Sequence, residues 1–260
     1  MAIPSERKTH AIAHREVRAA DGTAITYTLW RRPARELLVL APGFWRVRLD
    51  RENLFLANFF VRRGYDVAAL DFRGHGDSKG AYTFGTFEAQ DLKAVLDDLV
   101  GEGKPYGRFA LLGLSMGGTI AADTLSRWPE LPCRALVMVS SPADLRDLRP
   151  KPWKPGAIRQ VRLRRALRMP RVSRRTRIAA TPRGHEAVSG LSMPKLIVTA
   201  EGDWLVDPSH GRRLAQAAAA PVDDVHLHLP GSLHADALVR AVPLRLLRLL
   251  DRWFARNAPP

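Results

Sequence analysis

Ser115 stands in Gly113-Leu114-Ser115-Met116-Gly117, after the apolar run 109–112 and ahead of an amphipathic stretch that reaches about Trp128. A serine between two glycines at a strand-to-helix corner has the Gly-x-Ser-x-Gly pattern of an exposed nucleophile. The corner demands a strained backbone at the serine, and side chains at the flanking positions would collide with strand and helix. A helix starting there aims its unpaired N–H groups and its positive dipole end at any oxyanion forming nearby. Taken alone, the same serine could serve only as a helix N-cap.

A serine hydroxyl attacks a carbonyl only when a base takes its proton, and that base is usually a histidine oriented by a carboxylate. His234, in Pro230-Gly231-Ser232-Leu233-His234, is the candidate base, and Asp203, in Ala200-Glu201-Gly202-Asp203-Trp204, is the candidate acid. Asp207 and Asp144 are rivals for the acid, and Asp203 could instead cap a short turn. Of the other histidines, His226 and His228 alternate on a strand and share one face, His210 reads as a helix-surface residue, and His185 lies in a basic segment. His75, in a turn near the site, reads as packing. The N–H groups of Met116 and Phe44 are the expected oxyanion donors. Trp45 and Trp204, with Trp153, could line an acyl pocket or simply pack.

Such groups belong on loops beyond the C-termini of parallel strands, and the chain carries elements able to place them there. Residues 15–20 and 24–30 read as two strands joined at Asp21-Gly22. Residues 36–41, 66–70, 109–112, 134–139 and 195–199 are short apolar runs of the kind found in strands covered on both faces. A last strand is expected over 225–229. Helical spacing marks 51–63, 87–100, 115–128, 208–219 and 234–257, the last interrupted at Pro243. This alternation predicts an α/β fold, a doubly wound and mostly parallel eight-stranded sheet with helices on both faces. The core would comprise 1–141 and 191–260, interrupted at 142–190 by a basic insertion with a short helix over 158–168.

The length of 260 residues and the apolar fraction of 46% suit one large globular domain. No apolar run approaches the roughly 20 residues that span a bilayer, and residues 1–16 lack the apolar centre of a signal peptide. The single cysteine, Cys133, reads as a buried inert thiol, and these features together predict a cytoplasmic protein. The net charge of +15 is unevenly spread: 14 arginines and lysines in 142–190 face only Asp144, Asp147 and Glu186. Arg159, Arg162, Arg164, Arg165 and Arg168 could form a rim that draws anionic substrates or surfaces, or could be a solvated cover. Aromatic residues are not interleaved with these arginines, which argues against specific nucleic-acid binding.

With these motifs in place the chain resembles the α/β-hydrolase fold enzymes over about residues 12–257. It is closest to the branch holding monoacylglycerol lipases, carboxylesterases and serine aminopeptidases. The likeness rests on Pro42-Gly43-Phe44, Asp71-Phe72-Arg73-Gly74-His75-Gly76-Asp77-Ser78, Gly113-Leu114-Ser115-Met116-Gly117-Gly118, Asp203 and Pro230-Gly231-Ser232-Leu233-His234. Pro42 stands where many members have histidine, and Ala200 where glycine is usual. The resemblance implies a Ser115–His234–Asp203 triad, a lid over 142–190, no metal and no cofactor. A serine nucleophile argues against the carboxylate-based dehalogenase and epoxide hydrolase chemistries of the fold. The expected activity is cleavage of a small-molecule carboxylic ester. A thioesterase or acyltransferase acting on an anionic acyl substrate is the alternative, and a non-catalytic polyanion-binding protein a further one.

Overall fold

The computed structural model describes residues 11–31, 36–153, 170–173, 181–228 and 233–260. Its strands are β1 (Ala11–Arg18), β2 (Ala24–Arg31), β3 (Leu37–Ala41), β4 (Asp66–Leu70), β5 (Phe109–Leu114), β6 (Cys133–Val139), β7 (Lys195–Ala200) and β8 (Val222–Leu227). They form one sheet in the order β1-β2-β4-β3-β5-β6-β7-β8. The pairings of β2 with β1 and with β4 are antiparallel and all others are parallel, so β2 alone runs against its neighbours. The described helices are α1 (Arg51–Val61), α2 (Glu88–Leu99), α3 (Met116–Arg127), α4 (Gly184–Ser189), α5 (Pro208–Ala217), α6 (Asp236–Ala241) and α7 (Pro243–Asn257).

Strand periodicity divides the interior in two. Leu37, Val39, Leu111, Leu136, Met138 and Ile197 pack with α2–α5 on one face of the sheet. Leu38, Leu40, Leu112, Val137, Val139 and Val198 pack with α1, α6 and α7 on the other. Because both faces are covered, the parallel strands read as unbroken apolar runs rather than as alternation. The sharp reversals, by contrast, are held by charge. Arg73 donates to both oxygens of Asp91 and to Asp21, and Arg48 to Asp71, Thr28 and Asp77, so the turn 71–78 is bound to α2 and to β2.

Several sequence expectations change here. The last strand is Val222–Leu227, earlier than 225–229, because its register follows β7 from Lys195↔Val222 onward. The segment 142–190 does not stand apart from the core at its described parts. Ala187 and Val188 of α4 belong to the core beside α3 and α5, which moves the core boundary back to at least Gly184. Arg171 and Ser173 bracket Tyr82 through backbone hydrogen bonds, Arg171 O accepting from Tyr82 N at 2.7 Å and Ser173 N donating to Tyr82 O at 2.9 Å. The expected helix over 158–168 and the arginines Arg159, Arg162, Arg164, Arg165 and Arg168 lie outside the described residues. Cys133 is half-buried, and desolvation pushes its thiol up to about 12, which leaves it an unreactive thiol at neutral pH.

Candidate active site

Ser115 sits between β5 and α3 with φ 54° and ψ −127°, a conformation a serine adopts only under constraint. Its N–H donates to Val139 O of β6, and its carbonyl accepts from Gly118 N, so both sides of the corner are held. The flanking glycines are required by close approach. A Cβ at Gly113 would lie 2.2 Å from Gly118 Cα, and one at Gly117 would lie 2.0 Å from Ala41 O at the end of β3.

Two loops from the C-terminal edge of the sheet complete the arrangement. Asp203, beyond β7, is held by two backbone N–H groups, from Leu205 at 2.9 Å and Val206 at 3.0 Å, both donating to Oδ1. Its oxygens lie 3.0 and 2.9 Å from His234 Nδ1. A carboxylate only accepts, so the neutral ring carries its proton on Nδ1 and presents a free Nε2 lone pair. That Nε2 is 2.8 Å from Ser115 Oγ. Ser115, Asp203 and His234 are 8%, 1% and 1% exposed, so the chain of hydrogen bonds is shielded from competing water.

The rival acids are engaged elsewhere. Asp144 accepts from Arg146 and caps the single 3₁₀ turn Leu145–Asp147, and Asp207 caps α5 and pairs with Lys151 at 2.8 Å. Nor is His210 a surface group. It is buried, its Nδ1 accepts from Ala143 N at 3.2 Å, and desolvation lowers its pKa; α5 turns this side toward the loop after β6 rather than to solvent. His185 Nδ1 faces Ala143 O at 2.9 Å, so two histidines clasp the same backbone unit. His226 bonds Thr199 Oγ1, while His228 is exposed beside Glu201; their rings are in edge contact at 4.9 Å, on one face as expected.

The turn after β3 approaches the serine closely: a Cβ at Gly43 would lie 3.0 Å from Ser115 Cβ. Trp45, the third residue of that turn, has a left-handed φ of 67°, and its N–H donates to His75 Nε2 at 3.1 Å. His75 Nδ1 lies 3.1 Å from Arg73 O, an acceptor, and so must donate to it. The ring is therefore neutral, and burial pushes its pKa down to about 4. Packing alone does not describe this histidine, which holds the turn that carries Phe44. The N–H groups of Phe44 and Met116 have no acceptor among the described residues.

A cavity of about 340 Å³ opens on Ser115 and His234. Trp45 and Trp204 both line it, and Trp204 also contacts the His234 ring edge-on at 6.4 Å. Sequence reasoning missed the rest of the wall: Phe84, Leu145, Leu148, Pro150, Leu205 and Val206 come from three loops with no shared periodicity. Arg46 also lines it, but is neutralised by Glu52 and by Asp50 at 3.2 Å.

A doubly wound sheet of this order, with a strained serine corner facing a histidine and an aspartate on later loops, defines the α/β-hydrolase fold of serine hydrolases. The chain belongs to the serine aminopeptidase S33 family, whose model matches residues 32–178. It is 28% identical over 121 residues to the uncharacterized hydrolase YugF of Bacillus subtilis, an alignment covering 46% of this chain and 42% of that protein. It is 37% identical over 71 residues to the uncharacterized protein RP471 of Rickettsia prowazekii, covering 27% and 30%. These alignments thus span less than half of each curated relative. Solved structures share the fold over nearly the whole chain. The esterase Pf2001 of Pyrococcus furiosus superposes with a TM-score of 0.72 at 20% identity, covering 95% of this chain and 93% of that one. The esterase RhEst1 of Rhodococcus sp. gives 0.71 at 21%, covering 94% and 99%. DcsB, in complex with its substrate analogue, gives 0.76 at 19%, covering 95% and 100%. That family is one of hydrolases, and among the described residues no helix is long and apolar enough to cross a membrane.

Proposed function

We propose that the protein hydrolyses carboxylic esters through an acyl-enzyme on Ser115. The observation that carries this reading is the unbroken hydrogen-bond path from Asp203 through His234 to Ser115 Oγ at the floor of an apolar cavity. Ser115 Oγ attacks the ester carbonyl while His234 Nε2 takes its proton, and Asp203 stabilises the resulting imidazolium. The oxyanion is received by the N–H groups of Met116, at the start of α3, and of Phe44. Collapse breaks the bond to the alcohol, which leaves with the proton from His234. Water then attacks the acyl-enzyme, giving its proton to the same nitrogen, and Ser115 leaves with that proton as the acid departs.

The walls favour an uncharged ester. The described lining contains no aspartate or glutamate to receive the amino terminus of a peptide, and its one arginine is paired. The first of these weighs against aminopeptidase action, the second against an anionic acyl substrate. The test is hydrolysis of p-nitrophenyl esters from acetate to decanoate, with fluorophosphonate labelling and Ser115→Ala alongside. Turnover and labelling that both vanish in the variant support the reading. A folded protein that neither turns over nor labels refutes it and favours the polyanion-binding alternative.

A further inference from the structure

The outer face of α1, α6 and α7 has a composition that neither the fold nor the proposed chemistry requires. Along α7, Leu246, Leu247, Leu250, Trp253 and Phe254 are buried, while Arg245, Arg248, Arg252 and Arg256 recur at intervals of three or four and form one outward stripe. Arg256 is paired with Asp223 at 2.7 Å, and among the described residues Arg245 makes a single long contact, to His228 O at 3.4 Å. Arg248 and Arg252 have no acidic partner among the described residues, nor has Arg51 on α1.

Apolar side chains stand exposed among these cations. Leu244, at the start of α7, is 68% exposed and lines one shallow groove with Arg248 and Arg252. Pro243 leads into a second, larger groove that also holds Leu49 and Phe55, exposed to 41% and 44%, with Arg51 and Arg240 at its sides. The face adjoins the cleft. Glu52 lines the second groove and is bound both by Arg240, at 2.8 Å, and by Arg46, which lines the cavity above Ser115.

We propose that this face docks onto an anionic lipid surface, with Arg248, Arg252 and Arg51 at the level of the headgroups and Leu244, Phe55 and Leu49 entering the acyl boundary. Unpaired arginines supply the charge complementarity, and exposed leucine and phenylalanine between them gain free energy only where there is hydrocarbon to enter. A nucleic acid would use the arginines and gain nothing from the leucines. The docked orientation places the cleft beside the bilayer. The proposal concerns binding and stands or falls independently of the ester chemistry.

Co-sedimentation with large unilamellar vesicles tests it, comparing phosphatidylcholine alone with phosphatidylcholine containing about 30 mol % phosphatidylglycerol. The full chain is expected to bind the anionic vesicles and not the neutral ones. Arg248→Glu/Arg252→Glu should weaken binding at least about tenfold. Leu244→Ser should weaken it several-fold and make what remains more sensitive to raising salt from about 0.1 M to about 0.5 M. Unchanged melting temperatures establish that the variants are folded, and Arg248→Gln/Arg252→Gln replaces the reversal if that variant is not. Binding undiminished in both arginine variants would place the contact elsewhere on the chain and overturn the proposal. So would absence of binding, or equally tight binding to a DNA duplex that Leu244→Ser leaves unchanged.

Discussion

Arg46, Arg48 and Arg73 lie buried beside the cleft, whereas Arg248 and Arg252 lie exposed on α7, and the two groups differ in everything except residue type. Each buried arginine meets at least two carboxylates: Asp50 and Glu52, Asp71 and Asp77, or Asp21 and Asp91. Their charge is cancelled where it stands, and what they contribute is the geometry of the turns around Ser115. The exposed pair cancels nothing among the described residues and contributes field. Among the described residues the cleft lining is close to neutral, its one arginine being paired, so neither group of arginines sets the charge of the substrate. The exposed pair acts instead on what approaches the outer surface.

The strongest way to separate cleft from surface is to remove the proposed nucleophile. Ser115→Ala should lower p-nitrophenyl ester turnover by about 10⁴-fold or more while leaving vesicle binding unchanged, because the two functions share no residue. Next comes Arg73→Met, which strands the buried Asp91 carboxylate without its partner. It should cost about 3–5 kcal/mol of unfolding free energy in urea titrations. An effect below about 1 kcal/mol would mean that the buried arginines are as dispensable as the exposed ones, and the contrast would collapse.

The contrast also has a pH dependence. His75 titrates near 6.5 when unfolded and at about 4 in the folded chain, so protonation opposes folding. Stability present above pH 6.5 is lost as pH falls toward 4, by about 3 kcal/mol at the lower limit. Buried His210 acts in the same direction. In His75→Gln, which keeps an acceptor for Trp45 N–H, the acid slope of the urea midpoint should be shallower than in the parent. An unchanged slope would remove His75 from the account. The smallest effect is expected from Arg252→Gln, which should shift unfolding free energy by no more than about 0.5 kcal/mol. A larger loss would show that the exposed stripe is structural after all.

How far the sequence could be read followed the range over which each constraint acts. The corner at Ser115 is a local steric problem, settled within five residues, and Gly113 and Gly117 announce it. The buried strands were legible for a similar reason, since covering by helices on both faces leaves nearly continuous apolar runs in β3 through β7. His234 and Asp203 followed from their places after strands and from the chain order that the motif implies. The edge strand β8 was harder to place because Asp223 and Asp224 face solvent and break the apolar run. His210 was misread as a surface group because helical periodicity gives an angle on the helix and not what lies opposite it.

Sequence by itself thus determined the layered fold and the strained corner at Ser115, the proposed nucleophile, because strand periodicity and backbone sterics act between near neighbours. Tertiary structure alone decided that Asp203 rather than Asp144 or Asp207 faces His234, that His75 holds the turn carrying Phe44, and which loops wall the cavity. It also decided which arginines are cancelled and which have no acidic partner among the described residues. These are contacts between residues far apart in the chain, 119 positions in the case of Ser115 and His234. They exist only once the sheet has brought its C-terminal loops to one edge, where hydrogen bonds and charge pairing, not local propensity, select the partners.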